Sequence, residues 1–253
     1  MHADTCWMTP SQIVADGFRR SPVVMMNEGH HGNSRCARTR EIGRAILPAA
    51  HAAGCRHLAM EALPRGGAGP RFVTARPDPI GYVGHPEMVA LIDAAIDLGW
   101  TLIAYEAAPD DRGAPPNLES TNARELHQAR NLVEALASIE PEAPLLVWCG
   151  NHHHAKEAAV DWIPMGVRFV QESGIDPFCI DQLATVSLSP EHAPNIELTE
   201  ELTATLDRFG GTAGFIRGGE PPGYTVCGPF DATILSTDNR VVGDPPEIWA
   251  PRS

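Results

Sequence analysis

Apolar runs that stop on an acid or an imidazole recur along this chain, and their spacing restricts the folds open to it. VVMMNE closes on Glu28 and is followed by Gly29-His30-His31-Gly32. HLAMEA closes on Glu61, TLIAYEA on Glu106, and LLVWCGNHHHAK runs into Asn151 and His152-His153-His154. Each run has the length and the β-branched or aromatic content of a buried strand. Between them lie segments with helical periodicity, so the order is β-α-β-α-β-α-β. That order predicts an α/β fold, a mainly parallel sheet flanked by helices with right-handed crossovers. The acids and imidazoles then converge at the C-terminal edge of the strands, where open α/β sheets bind their ligands.

The chain of 253 residues is read as one α/β domain spanning 1–253, with no internal repeat, low-complexity tract or linker. A helix is expected over 10–19, with Thr9 as N-cap and Pro10 in the first turn. A second runs from 33 or 34 to 53, stopped by Gly54, with Pro48 expected to kink or divide it. Residues 65–84 hold five Gly and three Pro, too many for a regular element, and suggest a lid or substrate loop whose Arg65, Arg71 and Arg76 could lie over the site. Helices follow over 86–98 and 120–139, the latter with Leu126, Ala129, Val133 and Leu136 as its core stripe. Past the histidines, helices are expected near 164–172 and 197–208, and strands near 177–180, 214–216, 224–226 and 232–235.

A net charge of −13 disfavours nucleic acid and anionic membranes as partners, since both reward clustered Lys and Arg. No apolar run approaches the roughly 20 residues of a spanning helix, and the N-terminus lacks a signal-peptide pattern. Cys6, Cys36, Cys55, Cys149, Cys179 and Cys227 are scattered, with no CxxC pair, and are expected as reduced thiols in a cytoplasmic protein.

Two histidine clusters at the ends of two strands hold five of the eleven histidines, which makes them candidates for acid–base chemistry. A carboxylate beside an imidazole can set its tautomer and raise its basicity, so Glu28 with His30 or His31 is one candidate pair. His153 is the imidazole of the second cluster that chemistry would use, with Asn151 and His154 as further candidates. Glu61 and Glu106 are strand-end acids, and Arg40 lies on the helix that leaves the first loop. A surface ion pair shared with Arg38 and Arg44 is the plainer role for Arg40. There is no serine-nucleophile elbow, Walker motif or dinucleotide signature. No cofactor is favoured. A divalent metal held by His30, His31, Glu61 and His153 is one alternative, and haem held by the histidines is another.

Taken together, these residues resemble the erythromycin esterase-like and ChaN-like (Tiki/TraB) superfamily. Asn27-Glu28-Gly29-His30-His31-Gly32 is similar to the GExxHG-type motif of the esterase branch, with Asn for the leading Gly; the resemblance makes Glu28 and His31 the functional pair. A ChaN-like alignment selects His30 instead. The family's helix arginine falls on Arg40, its strand-end glutamate on Glu61, and Trp148-Cys149-Gly150-Asn151-His152-His153 resembles the WAHNAH-type motif, with the second family histidine at His153. The matches run from about Val23 to Lys156. The resemblance implies a hydrolase acting on an ester, lactone or amide of a small molecule or peptide. His31, oriented by Glu28, would take a proton from water held by Glu61, with Arg40 or His153 facing the oxyanion. The same base could serve elimination or isomerisation. The superfamily also includes metal-dependent peptidases and haem-binding members.

Overall fold

The computed structural model describes residues 6–31, 34–63, 69–79, 81–107, 117–186, 196–238 and 241–242, with the side chains of residues 30, 31, 34, 35, 241 and 242 outside the description. The chain begins with α1 (Pro10–Arg20), where Thr9 and Gln12 form a reciprocal capping box and Pro10 occupies the first turn, as the sequence predicts. β1 (Val23–Glu28) follows, then the short strands β2 (His30–His31) and β3 (Ser34–Cys36), α2 (Ala37–Ala52), β4 (His57–Met60) and β5 (Arg71–Val73). A 3-10 turn at Gly81–Gly84 leads into α3 (Pro86–Asp97), β6 (Thr101–Ala104), α4 (Leu118–Ser138) and β7 (Leu145–Gly150). The remainder comprises α5 (Met165–Ser173), β8 (Phe178–Asp181), α6 (Glu200–Asp207), β9 (Thr212–Ile216), β10 (Ala232–Ser236) and β11 (Val241–Val242).

Eight strands form one sheet in the order β5-β6-β4-β7-β1-β8-β10-β9. From β6 to β10 every pair is parallel, and the two edge strands, β5 and β9, run antiparallel to their neighbours. β1 and β7, the innermost strands, are buried at every position. This explains their continuous apolar sequence in place of an alternating one. Val24 and Met26 face a core shared with α1, α2 and α3, while Val23 and Met25 face one built with α4, α5 and α6. β2, β3 and β11 make a small antiparallel sheet beside the exit of β1.

Several local expectations are corrected. Residues 34–36 pair as β3, so α2 starts at Ala37, and the helix passes through Pro48 undivided. Pro48 and Arg44 are both exposed, so water can reach the Arg44 carbonyl that the missing Pro48 N–H leaves unbonded. The Gly- and Pro-rich stretch contains an edge strand and a 3-10 turn, and its Arg76 is held by Asp93 at 2.7 Å and Asp97 at 2.8 Å on α3; Arg65 lies outside the described residues. Residues 224–226 form no strand, and Tyr224 packs on Trp7 and Phe215 instead. Among the described residues no helix is long and apolar enough to cross a membrane. All six cysteines are free thiols, four of them buried.

α2 can approach the sheet because Gly43 has no side chain: a Cβ there would lie 2.6 Å from the Trp148 ring. Gly43→Ala is therefore expected to cost about 1–3 kcal/mol through overpacking. An unchanged or raised denaturant midpoint would contradict this packing.

Candidate functional site

The ends of β1 and β7 lie level, Glu28 being the register partner of Gly150, and the Asn151 N–H donates to the Glu28 carbonyl at 2.9 Å. Glu28 is 2% exposed. From the first turn of α2, Arg40 donates Nε to Glu28 Oε2 at 2.7 Å and Nη2 to Oε1 at 3.4 Å. The Tyr82 hydroxyl donates to Oε1 at 2.7 Å, and the Arg40 guanidinium lies 5.3 Å from the Tyr82 ring centroid. Arg40 is wholly buried, not the surface arginine of the plainer reading, and it is committed to Glu28. Burial opposes its charge, but Glu28 outweighs burial and raises its pKa.

Glu61, Glu106, Arg124, Glu125 and His153 gather on the α4 side. Glu61 follows β4 and accepts the Gly150 N–H on Oε2 at 2.7 Å and Arg124 Nη2 on Oε1 at 2.5 Å. Glu106 accepts Arg124 Nε at 3.0 Å, Gln128 Nε2 at 3.1 Å and the Ala107 N–H at 2.6 Å. Arg124 thus clamps two strand-end acids. Burial works against its charge, yet Glu61 and Glu106 raise its pKa.

His153 Nδ1 lies 2.5 Å from Oε1 of the fully buried Glu125. Glu125 also accepts Trp162 Nε1 at 3.2 Å and, on Oε2, the N–H of Met165 at 2.6 Å. Met165 opens α5, so this carboxylate sits where the helix N-terminus favours negative charge. His153 Nε2 is 3.4 Å from Arg124 Nη1 and 3.9 Å from Glu61 Oε1. The network assigns the neutral tautomer: Nδ1–H donates to Glu125, and the Nε2 lone pair faces Arg124 and Glu61. Burial pulls the His153 pKa down, but the charges of Glu125 and Glu61 prevail and raise it.

The other imidazoles differ. His154 is buried, stacks on Phe230 at 4.6 Å, and reaches the Ile180 carbonyl through Nε2 at 3.1 Å. Burial and the neighbouring His152 push its pKa down to about 3, so it is a neutral core residue away from the Arg124 cluster. His152 is lowered by burial, with Asp181 opposing. Asn151 turns the chain at φ 44°, and its carbonyl accepts Asn27 Nδ2 at 2.8 Å. His30 and His31 pair with Arg35 and Ser34 through the backbone, and their side chains lie outside the described residues. Among the described residues no group of three His, Cys, Asp or Glu is arranged to hold a metal.

The structure therefore unites Glu28 with Arg40, and Glu61 with Glu106 and His153. Sequence reasoning missed Tyr82, Arg124, Glu125 and Gln128. It also missed Asp181, which ends β8 as the other acids end theirs and accepts Asn27 Nδ2 at 2.8 Å. On α4 the expected stripe is corrected: Glu125, Gln128 and Asn131 are buried with Ala129, whereas Leu126, Val133 and Leu136 are only half-buried.

No family model and no curated protein matches this chain. Among solved structures, it is similar to RRSP, a MARTX toxin effector domain from Vibrio vulnificus CMCP6, at 12% identity and a TM-score of 0.45 over 68% of this chain and 35% of that one. Two structures described as bacterial protein toxins match at 12% and 14% identity, with TM-scores of 0.45 and 0.44, each over 68% of this chain and 36% of theirs. The chain thus spans little more than a third of the length of these structures. Likeness of this degree says nothing of activity.

Two outcomes follow from the buried charges. Arg40→Met strands the Glu28 carboxylate and is expected to cost about 3–5 kcal/mol in urea unfolding, with much of the loss recovered by adding Glu28→Gln; a cost within experimental error would contradict the buried pair. For His153 the folded pKa is raised, so its charged form adds stability that is fully present below the ordinary value of about 6.5 and is lost as pH rises through the folded pKa. The Tm of the unaltered protein minus that of His153→Gln should therefore shrink from acid to alkaline pH. A difference that grows with pH would contradict the assigned environment.

Proposed function

We propose that this protein is a hydrolase cleaving an ester, lactone or amide of a small molecule or peptide by histidine–glutamate activation of water. We further propose that it belongs with the erythromycin esterase-like and ChaN-like proteins that its motifs resemble. The observation that carries the reading is the His153–Glu125 pair at the C-terminal edge of a parallel sheet, with Nε2 turned toward Glu61 and Arg124. In this reading a water held between Nε2 and Glu61 gives its proton to His153 and attacks the carbonyl carbon. Glu125 holds the tautomer and stabilises the imidazolium that forms. Substrate draws the Arg124 Nη1 N–H away from Nε2 toward its carbonyl oxygen, which frees the single Nε2 lone pair for the water and sets that N–H against the developing oxyanion.

Charge supports this assignment. The cluster holds three carboxylates, Glu61, Glu106 and Glu125, and one guanidinium, so a proton gained by His153 reduces an excess of negative charge. Glu28 and Arg40 have a positioning role, since the Glu28 carbonyl anchors Asn151 at the start of the histidine loop. His31, the base in the sequence reading, is the second candidate. The Arg124 guanidinium lies against both Glu61 and His153, which favours the metal-independent course over a divalent cation held by the same two groups. His154 commits Nε2 to the Ile180 carbonyl inside the core, which weighs against its serving as a haem ligand. Free thiols fit a reducing, cytoplasmic setting.

A panel of esters, lactones and peptides tests the reading. His153→Ala is expected to lower kcat/KM by about 10²–10⁴-fold, and Glu125→Gln in the same direction. His31→Ala with His30→Ala as its control separates the two histidine clusters. The rate should rise with pH through a pKa above the ordinary histidine value. Full activity in His153→Ala, or no turnover of any panel member, would overturn the proposal.

A further inference from the structure

The segment 155–164 carries the chain from the histidine turn into α5, and two side chains of α4 hold its far end. Asn122 and Glu125 lie three residues apart on that helix, close enough to act on one stretch of chain. Asn122 Nδ2 donates to the Asp161 carbonyl at 2.8 Å, and its Oδ1 accepts the Ile163 N–H at 2.8 Å. Trp162 is thus pinned on both sides, and its indole Nε1 donates to Glu125 Oε1 at 3.2 Å. Pro164, the N-cap of α5, supplies no side-chain cap, and Glu125 Oε2 takes the N–H of Met165 at 2.6 Å.

Glu125 therefore receives three N–H groups, two of them on the oxygen that holds His153. A carboxylate oxygen has two lone pairs, so the imidazole and the indole fill Oε1 between them. They reach it from different directions, the two rings standing at 73° with centroids 6.3 Å apart. Hydrogen bonds donated to a carboxylate stabilise its charge and weaken its hold on protons. The indole N–H and the imidazole N–H consequently compete for the electron density of one oxygen.

We propose that Trp162 is a positioning residue of the His153–Glu125 pair, its indole N–H occupying the second acceptor site of Glu125 Oε1 and so limiting how firmly the carboxylate holds the imidazolium. The proposal rests on the hydrolase reading, in which His153 takes a proton from water and must release it again to the leaving group. A base serves both steps best when its proton affinity is matched to the working pH, and an unshared Oε1 would retain the proton too firmly. The charged and titratable groups around the imidazole are Glu125 and Arg124 of α4, Glu61 beyond β4, and its neighbours His152 and His154, with Glu106 bonded to Arg124. On the loop itself, Lys156 is paired with Asp176 and Asp231. Trp162 carries no charge, so exchanging it alters none of these.

The test is ¹⁵N NMR titration of the His153 ring in the full chain after Trp162→Phe and, separately, after replacement of Trp162 by benzothienylalanine, which keeps the bicyclic shape and puts sulfur in place of the N–H. Without the donor, His153 should hold its proton about threefold more tightly, a pKa rise of about half a unit. For any ester or lactone that turns over, the acid limb of rate against pH should move up by the same amount. A pKa that stays put or falls in the benzothienyl protein overturns the proposal, and that variant decides the matter if Trp162→Phe disturbs the loop. The titration needs no substrate, so full activity in His153→Ala would sink the hydrolase reading without changing this result, and the two fail separately.

Discussion

A carboxylate can be buried only where cations and N–H groups replace the water it loses, and the strand-exit edge of this protein is built around that requirement. Glu28, Glu106 and Glu125 are almost wholly removed from solvent, and Glu61 is nearly so. Arg40 answers one, Arg124 answers two, and the first N–H of α5 with Trp162 helps His153 answer the last. An unpaired charge at such a depth costs several kcal/mol. α2 and α4 are thus docked by ion pairs as well as by apolar stripes. The same constraint holds the reactive groups in fixed geometry, which is what preorganised chemistry needs.

Topology decides which acids meet. The chain lays down β1, passes to β4 and β6, and returns to insert β7 between β1 and β4. The histidine loop therefore leaves the sheet between Glu28 and Glu61. Alternation along the strands does the rest: Glu28 shares the α2 face with Val24 and Met26, and Glu61 shares the α4 face with Ala59. Two charged groups flank one loop, with Gly150 bonded to Glu61 and Asn151 bonded to Glu28.

Much of this was legible in the sequence because it is local. The core strands announced themselves as apolar runs, and the acids at their ends marked the edge. The cap at Thr9 and the stop at Gly54, with φ 95°, also follow from neighbouring residues. What the sequence hid depends on partners distant along the chain. β3 and β5 are three-residue strands defined only by pairing, and β7 follows β6 in sequence but lies between β1 and β4 in space. Arg124 and Glu125 fall outside the apolar stripe expected for their helix, since nothing local reveals that two strand-end acids and a histidine lie beneath them. Arg40 was legible as a candidate, but not its burial against Glu28, for the same reason.

The substrate is unidentified, so the most direct test of the account is one that needs none: ¹⁵N NMR titration of the His153 ring in the intact protein. The account expects an Nδ1–H tautomer at alkaline pH and a pKa above the ordinary histidine value, falling when Glu125 becomes Gln. An Nε2–H tautomer, or a pKa that ignores the Glu125 change, would contradict it.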